Sequence, residues 1–406
     1  MPGLETSAFA FASDLADEGL EAVLANIQER AGLDGITAAF SYHALRDVFP
    51  HNPRRKVRLQ SRGALYFPPD RSLYGRLQPR VDPEAADRDV LAETCRAAAA
   101  RGLRVDAWTI FLHADRPDEH SDCVTVNAFG DRYPADLCPA HPDVRAYVRA
   151  LVADVCRYDV GSIFAESLHY HPLEHGHEHE RYLIELGTKA RYLLGLCFCE
   201  HCLARAAAAG VDGGAVRAAA RDEIERAFAA RGAAVTGELE RTMLADVAGG
   251  ELLAYVDVRA GTVTALAADA AEVADTAGKR FVFMDPSGAV KGYWTGRPEG
   301  EPAAAVGWRF GIDLPALAAV CPEVMVLAYA ADVERVQLDL EAYRSALGDA
   351  TVSVVLRPIP PDCETAENLA AKLALARELG VGWAGIYHYG FLRLETLDLV
   401  RAALEA

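Results

Sequence analysis

The sequence predicts an α/β protein folded as a (β/α)8 barrel, with a helical insertion between the fourth and fifth strands. Three observations carry that expectation. Eight short apolar runs recur along the 406 residues, separated by Ala- and Leu-rich stretches of helical character, the alternation that builds α/β folds with a parallel sheet. The runs are continuously apolar, as strands buried on both faces are. No Gly-rich phosphate turn follows the first run, which argues against an open dinucleotide-binding sheet.

The elements follow in order. SAFAFAS at 7–13 is the first run, and GLEAVLANIQERAG behind it reads as a helix ending at a glycine. ITAAFSYH at 36–43 is the second. A long polar loop with ALYFPPDRSLYGRLQPR leads to the helix ADRDVLAETCRAAAARG, and LRVDAWTIFLHAD at 103–115 is the third. HPDVRAYVRALVADVCRYD then reads as a helix feeding the fourth strand, 162–166, which ends in Glu166. From about 203 to 279 the chain is almost all helix-forming, with Gly249-Gly250 as the break. Within it, 210–279 is expected to pack outside the barrel and, through an Ala-rich face, to serve self-association into a homo-oligomer. Strands return at 280–284, 324–328, 351–356 and 383–388. The helix after the seventh carries Leu369, Leu373, Ala376 and Leu379 on one face and stops at Gly380, a suitable residue just past a helix end. The whole chain, 1–406, is expected to form one barrel domain.

Charge narrows the function. A formal net charge of -18 disfavours nucleic acid and anionic membrane surfaces as partners. No uncharged apolar stretch is long enough to cross a bilayer. The first residues lack a basic segment and are interrupted by Asp14 and Asp17, so no secretory signal is expected. The expected compartment is the cytoplasm, where thiols stay reduced. The nine cysteines then read as core residues or metal ligands.

In a barrel the active site lies at the C-terminal ends of the strands. The sequence places Asp14, Tyr42, Asp115, Asp332 and Tyr389 there, beside a candidate binding set of His43, Trp108, His113, His169, His171, Tyr329, Arg357, Tyr387 and His388. Rings, imidazoles and carboxylates suit a neutral polyhydroxylated ligand. Glycoside hydrolysis needs two carboxyl groups flanking the bond. Glu166 is the expected acid and Asp285, in MDPSG, its expected partner; the plainer readings are a strand-end ion pair and an Asp-Pro turn. Trp108 and Trp294 read equally as sugar platforms or as packing. HYHPLEHGHEHE holds His169, His171, His175, His177 and His179, of which His169 and His171 are expected in the pocket and the rest on a solvated surface. LCFCEHCL sets Cys197, Cys199 and Cys202 at C-x-C-x-x-C spacing. With a fourth cysteine from elsewhere, this matches a closed tetrahedral zinc site.

The run LCPAHPDVRAYVRALVADVCRYD, the strand ending in Glu166 and the CFCEHC cluster together resemble the barrel domain of the family 42 β-galactosidases of glycoside hydrolase clan A, and the wider group of bacterial glycosyl-hydrolase-like barrels. The resemblance implies a carbohydrate-active hydrolase with Glu166 as acid/base. It also implies a structural zinc beside the active site, on Cys138, Cys197, Cys199 and Cys202, and a small-molecule carbohydrate as substrate. The chain differs from the clan at Ala165, where the clan has Asn, and at the seventh strand, where LRPIPPD offers Arg357 and then Asp362 instead of a glutamate. Two alternatives stay open. One is a metal-dependent isomerase or lyase of sugars or polyols, its metal among His169, His171, Glu166 and Asp285. The other is a barrel that binds a sugar without turning it over.

Overall fold

A computed structural model describes residues 4–114, 120–174, 181–230 and 234–406. Eight strands close into a barrel: β1 (Glu5–Ala10), β2 (Gly35–Ala39), β3 (Arg104–Ile110), β4 (Ser162–Glu166), β5 (Arg280–Asp285), β6 (Glu323–Leu327), β7 (Thr351–Leu356) and β8 (Trp383–Ile386). Each strand pairs in parallel with its neighbours in the sequence. The ring closes where β8 meets β1, with Ala8 opposite Ile386. The expected strands at 162–166 and 351–356 match β4 and β7. The first run is displaced: β1 stops at Ala10, because the Asp14 carboxylate accepts the Phe11 N–H at 2.9 Å and a helix starts at Ala12.

Aromatic rings fill the barrel. Phe9 meets Trp108 edge-on at 5.2 Å and Trp383 at 6.0 Å, and Phe164 lies 4.6 Å from Trp383. A Cβ on Gly385 would come within 2.4 Å of Trp383 and 2.7 Å of Phe9, so only glycine lets β8 pass these rings. At the N-terminal ends of the strands lies a polar network. Glu323 accepts the Ser353 hydroxyl and pairs with Arg280 at 3.4 Å, and Asp106 pairs with Arg104 at 2.9 Å.

The outer layer holds the helices α1 (Val90–Ala100), α2 (Pro142–Val155), α3 (Glu251–Thr276), α4 (Val333–Leu347), α5 (Ala366–Glu378) and α6 (Leu394–Glu405). α2 starts with His141 accepting the Asp143 N–H and with Pro142 in its first turn, both favourable at a helix start. α3 packs on α2 and β5, and Arg149 pairs with Glu272 across the α2–α3 contact at 2.9 Å. Before α3 the chain turns through Ala248, Gly249 and Gly250, all at positive φ, where the sequence places its break. Three further helices, Thr188–Leu194, Glu200–Ala208 and Gly213–Ala229, lie between β4 and this turn. No helix among the described residues is long and apolar enough to cross a membrane.

The loops after β2 and β3 are not simply irregular. They form small sheets: Ser41–Tyr42 with Ala64–Leu65 and Arg80–Val81, the hairpin Arg46–Val48 with Val57–Leu59, and Val124–Val126 with Arg132–Leu137.

Candidate active site

β4 ends in Glu166, which stays partly open to solvent although densely surrounded. Its Oε2 accepts the Trp108 indole N–H at 2.5 Å. Burial disfavours the charged carboxylate and pushes its pKa up to about 7, with the Trp108 donor opposing that rise. Trp108 is 1% exposed, so it orients the carboxylate and cannot serve as an open sugar platform.

Four tyrosines surround this pair. Tyr42 meets Trp108 edge-on at 4.8 Å, Tyr387 lies 5.9 Å from Trp108, Tyr329 6.1 Å from Tyr387, and Tyr293 6.0 Å from Tyr329. Burial raises the pKa of all four hydroxyls, and the Glu166 charge adds to each rise. Arg357 lies over Tyr329 at 4.1 Å and Tyr293 at 4.9 Å. Asp362 accepts two Arg357 N–H groups, at 2.6 and 2.7 Å. A further carboxylate bears on the same group. Asp47 accepts from Gln60 at 3.2 Å, burial pushes its pKa up to about 6, and its charge reaches both Tyr42 and Tyr293. Sequence reasoning missed Asp47 and Tyr293. Asp47 sits inside what reads as a polar loop, and only the hairpin fold of that loop carries it to the mouth. Tyr293 had one signal, its place next to Trp294 in the sequence.

Asp285, the expected second carboxylate, takes a different place. It is fully buried, and its oxygens accept the Ser287 N–H at 2.8 Å and the hydroxyl of Tyr343, on α4, at 2.9 Å. The carboxylate thus faces the helix layer and caps the turn after β5, which removes it from the group around Glu166. His388 is also fully enclosed, 4.2 Å from Phe11 and 4.6 Å from Phe391, with Nδ1 accepting the Gly390 N–H. Burial holds it neutral. It belongs to the core and not to a binding surface. Asp14 is buried at the first helix, where desolvation lifts it to about 8, and the buried Tyr389 donates to Glu18 at 2.9 Å.

The other four histidines of the candidate set form a file beside the mouth. His43 stacks on Tyr42 at 4.5 Å, and His113 lies 4.4 Å from His43. His171 is 5.4 Å from His113, and His169 is 5.0 Å from His171. All are buried. Asp115, His175, His177 and His179 lie outside the described residues.

Cys138, which follows the sheet after β3, meets Cys197, Cys199 and Cys202 in a buried cluster able to hold a metal ion. The Cys138 sulfur is 3.5 Å from those of Cys199 and Cys202 and 3.7 Å from that of Cys197. Metal–sulfur bonds of about 2.3 Å in a tetrahedron give sulfur edges of about 3.8 Å, so the residues fit a closed four-thiolate site. The Val126 N–H donates to Cys197 at 3.4 Å, and the Tyr170 hydroxyl lies in hydrogen-bond contact with Cys202 at 3.3 Å. A backbone N–H aimed at sulfur in this way favours a thiolate. The neighbouring S–H groups hold the Cys199 thiol far below its ordinary pKa, while burial raises that of Cys138.

No protein-family model matches the chain, and no curated protein matches it in sequence. Solved structures do match it. The β-galactosidase of the psychrophilic Marinomonas ef1 superposes with a TM-score of 0.54 at 11% identity, covering 99% of this chain and 59% of its own. The cold-adapted β-galactosidase of Rahnella sp. R3 gives 0.52 at 12%, covering 100% and 56%. That of Bacillus circulans sp. alkalophilus gives 0.52 at 11%, covering 96% and 50%. The chain therefore spans a little over half the length of these structures, and at such identities the likeness is one of fold.

Proposed function

We propose that the protein is a glycosidase-like hydrolase acting on a carbohydrate, with Glu166 as its acid/base. One observation carries this reading: a carboxyl group at the end of the fourth barrel strand, still reached by solvent, with its pKa raised to about 7. A proton donor to a glycosidic oxygen must hold its proton near the working pH. Burial supplies that, and the Trp108 bond fixes which oxygen is left to face the substrate. The likeness of fold to three β-galactosidases supports the same chemistry.

Asp47 is our choice for the second carboxylate in place of Asp285. It shares Tyr42 and Tyr293 with Glu166, and a pKa near 6 leaves it largely ionised at neutral pH, as a nucleophile or base must be. Asp362 is the competing candidate, but both of its oxygens are engaged by Arg357. Turnover of aryl glycosides by Asp47→Asn and Asp362→Asn separates them. Loss by a factor of roughly a hundred or more is expected for the first and a smaller effect for the second; the reverse would transfer the role to Asp362. Retention of activity by Glu166→Gln would end the hydrolase reading.

We assign the cysteine cluster to zinc in a structural role, because four thiolates leave no open position for a substrate. Nine free cysteines suit a reducing compartment, and the cytoplasm is our placement. A second reading, a barrel that binds a sugar without turnover, draws support from Ala165 and from the Arg357–Asp362 pair at the end of β7. Sugar binding with no hydrolysis of any tested glycoside would favour it.

A further inference from the structure

We propose that Trp294, with Tyr293 beside it, forms the aromatic platform of an outer sugar subsite, so that the substrate is an oligosaccharide whose outlying ring stacks on Trp294. The proposal rests on the glycosidase-like reading above and names its substrate class.

The two rings stand where the chain leaves β5. After Asp285 a short helix, Ser287–Gly292, leads straight into Tyr293 and Trp294. Its backbone is pressed onto the end of β6 and the residues that follow it. A Cβ on Gly288 or on Gly292 would run into the carbonyl oxygens of Leu327 and Tyr329, so glycine at both positions lets the helix lie this close. Beyond the rings, the Gly296 N–H donates to the Gly292 carbonyl at 2.9 Å, and the Gly296 carbonyl accepts the Ala331 N–H at 2.7 Å. Trp294 is thus presented on backbone held at both ends, which lowers the ordering cost when a ligand stacks on it.

Exposure sets this indole apart. Trp108 and Trp383 are 1% and 0% exposed, whereas Trp294 is 86% exposed. Tyr293 is 39% exposed, and Val290, one helical turn before it, 59%. A single exposed apolar residue needs no explanation, but adjoining ones beside a pocket mark a binding surface.

That surface is continuous with the group around Glu166. Trp294 meets Tyr293 edge-on at 4.9 Å. The Tyr293 ring lies 6.0 Å from Tyr329 and 4.9 Å from the Arg357 guanidinium, and the charges of Glu166 and Asp47 both reach it. Arg357 covers Tyr293, which leaves Trp294 as the open ring. A saccharide with one ring at Glu166 therefore finds a second aromatic surface on the solvent side of Tyr293. The C–H face of a sugar packs on an indole while its hydroxyls stay hydrated, so no enclosing pocket is needed there. An open platform of this kind suits a chain that runs out into solvent.

The test measures binding by calorimetry in a Glu166→Gln background, which removes turnover. The probes are β-linked gluco-, xylo-, manno- and galacto-oligosaccharides, each as a series of increasing length from the monosaccharide. The expected result is a gain in affinity with length in at least one series, with that gain reduced by roughly 10-fold or more in Trp294→Ala and partly restored in Trp294→Phe. With Glu166 intact, the ratio of kcat/KM for that oligosaccharide to kcat/KM for the aryl monosaccharide glycoside should fall by a similar factor in Trp294→Ala. Thermal unfolding reports the folding of each variant. A length series that is the same with and without Trp294, or no gain with length in any series, would overturn the platform. So would a change of oligomeric state in Trp294→Ala with the length series unaltered, which would give the ring to a second copy of the chain. Retained turnover in Glu166→Gln would instead overturn the hydrolase reading on which the substrate class rests.

Discussion

Glu166 is the residue on which chemistry and stability pull in opposite directions. Its pKa is raised to about 7, so the protonated acid is present below that pH and lost as pH rises through it. Asp47, raised to about 6, must instead be ionised, which requires a pH above its own value. A narrow bell of activity centred between 6 and 7 is therefore expected in kcat/KM, its acid limb from Asp47 and its alkaline limb from Glu166. Trp108→Phe removes the donor that holds Glu166 down, so its alkaline limb should move to higher pH; an unmoved limb would assign that limb to another group. The linkage sign follows from the same shift. A carboxyl raised on folding contributes stability below its ordinary pKa, and that contribution is lost as pH rises towards 7. Glu166→Gln should then match the wild type in stability near pH 4 and exceed it near pH 8 in a urea titration. Glu166 was legible because a continuous apolar run ends on it. Asp47 was not, because nothing in RDVFPHN tells that the loop folds back as a hairpin. Trp108 was expected to bind substrate, and the structure shows it buried, with its indole N–H on Glu166.

At the scale of elements, β5 and β8 mark where pattern reading succeeds and where it stops. Both were visible as apolar runs, and the structure confirms both. The direction of a strand's last side chain is not visible in this way. Asp285 looked catalytic because it ends a strand, yet Tyr343 on α4, 58 residues away, accounts for its orientation. Asp285→Ala should cost about 1–3 kcal/mol, since it leaves the Ser287 N–H and the Tyr343 hydroxyl without their buried acceptor. Turnover per folded molecule should stay near the wild-type value. A fall in kcat without loss of stability would return Asp285 to the catalytic pair. Gly385→Ala tests the aromatic filling of the barrel. Its Cβ would overlap Trp383 and Phe9, and overpacking of this kind typically costs about 1–3 kcal/mol. The displaced first strand has a local cause that short-range propensity hides: one carboxylate, Asp14, turns the chain out of the sheet at Phe11.

For the molecule as a whole, the ring of eight parallel strands was legible from alternation alone, because both faces of every strand are buried and the apolar runs are correspondingly unbroken. The joining of Cys138 to Cys197, Cys199 and Cys202 was not legible from spacing. It depends on how the sheet after β3 and the chain after β4 lie against one another. That join links the region following β3 to the start of the helices that lead to α3, and α3 packs on α2 and β5. An ion bound there binds the folded chain and not the unfolded one, so its binding energy adds to folding stability. We expect about one zinc per chain in purified protein and a single cooperative unfolding transition spanning 1–406. Cys199→Ser should lose the ion and lower Tm by about 5–10 °C. Prolonged chelation should lower the Tm of the wild type towards that of the variant and leave the variant unchanged. If the wild type carries no metal by elemental analysis and unfolds at the same temperature as Cys199→Ser, the four sulfurs are packed thiols and the barrel is held without them.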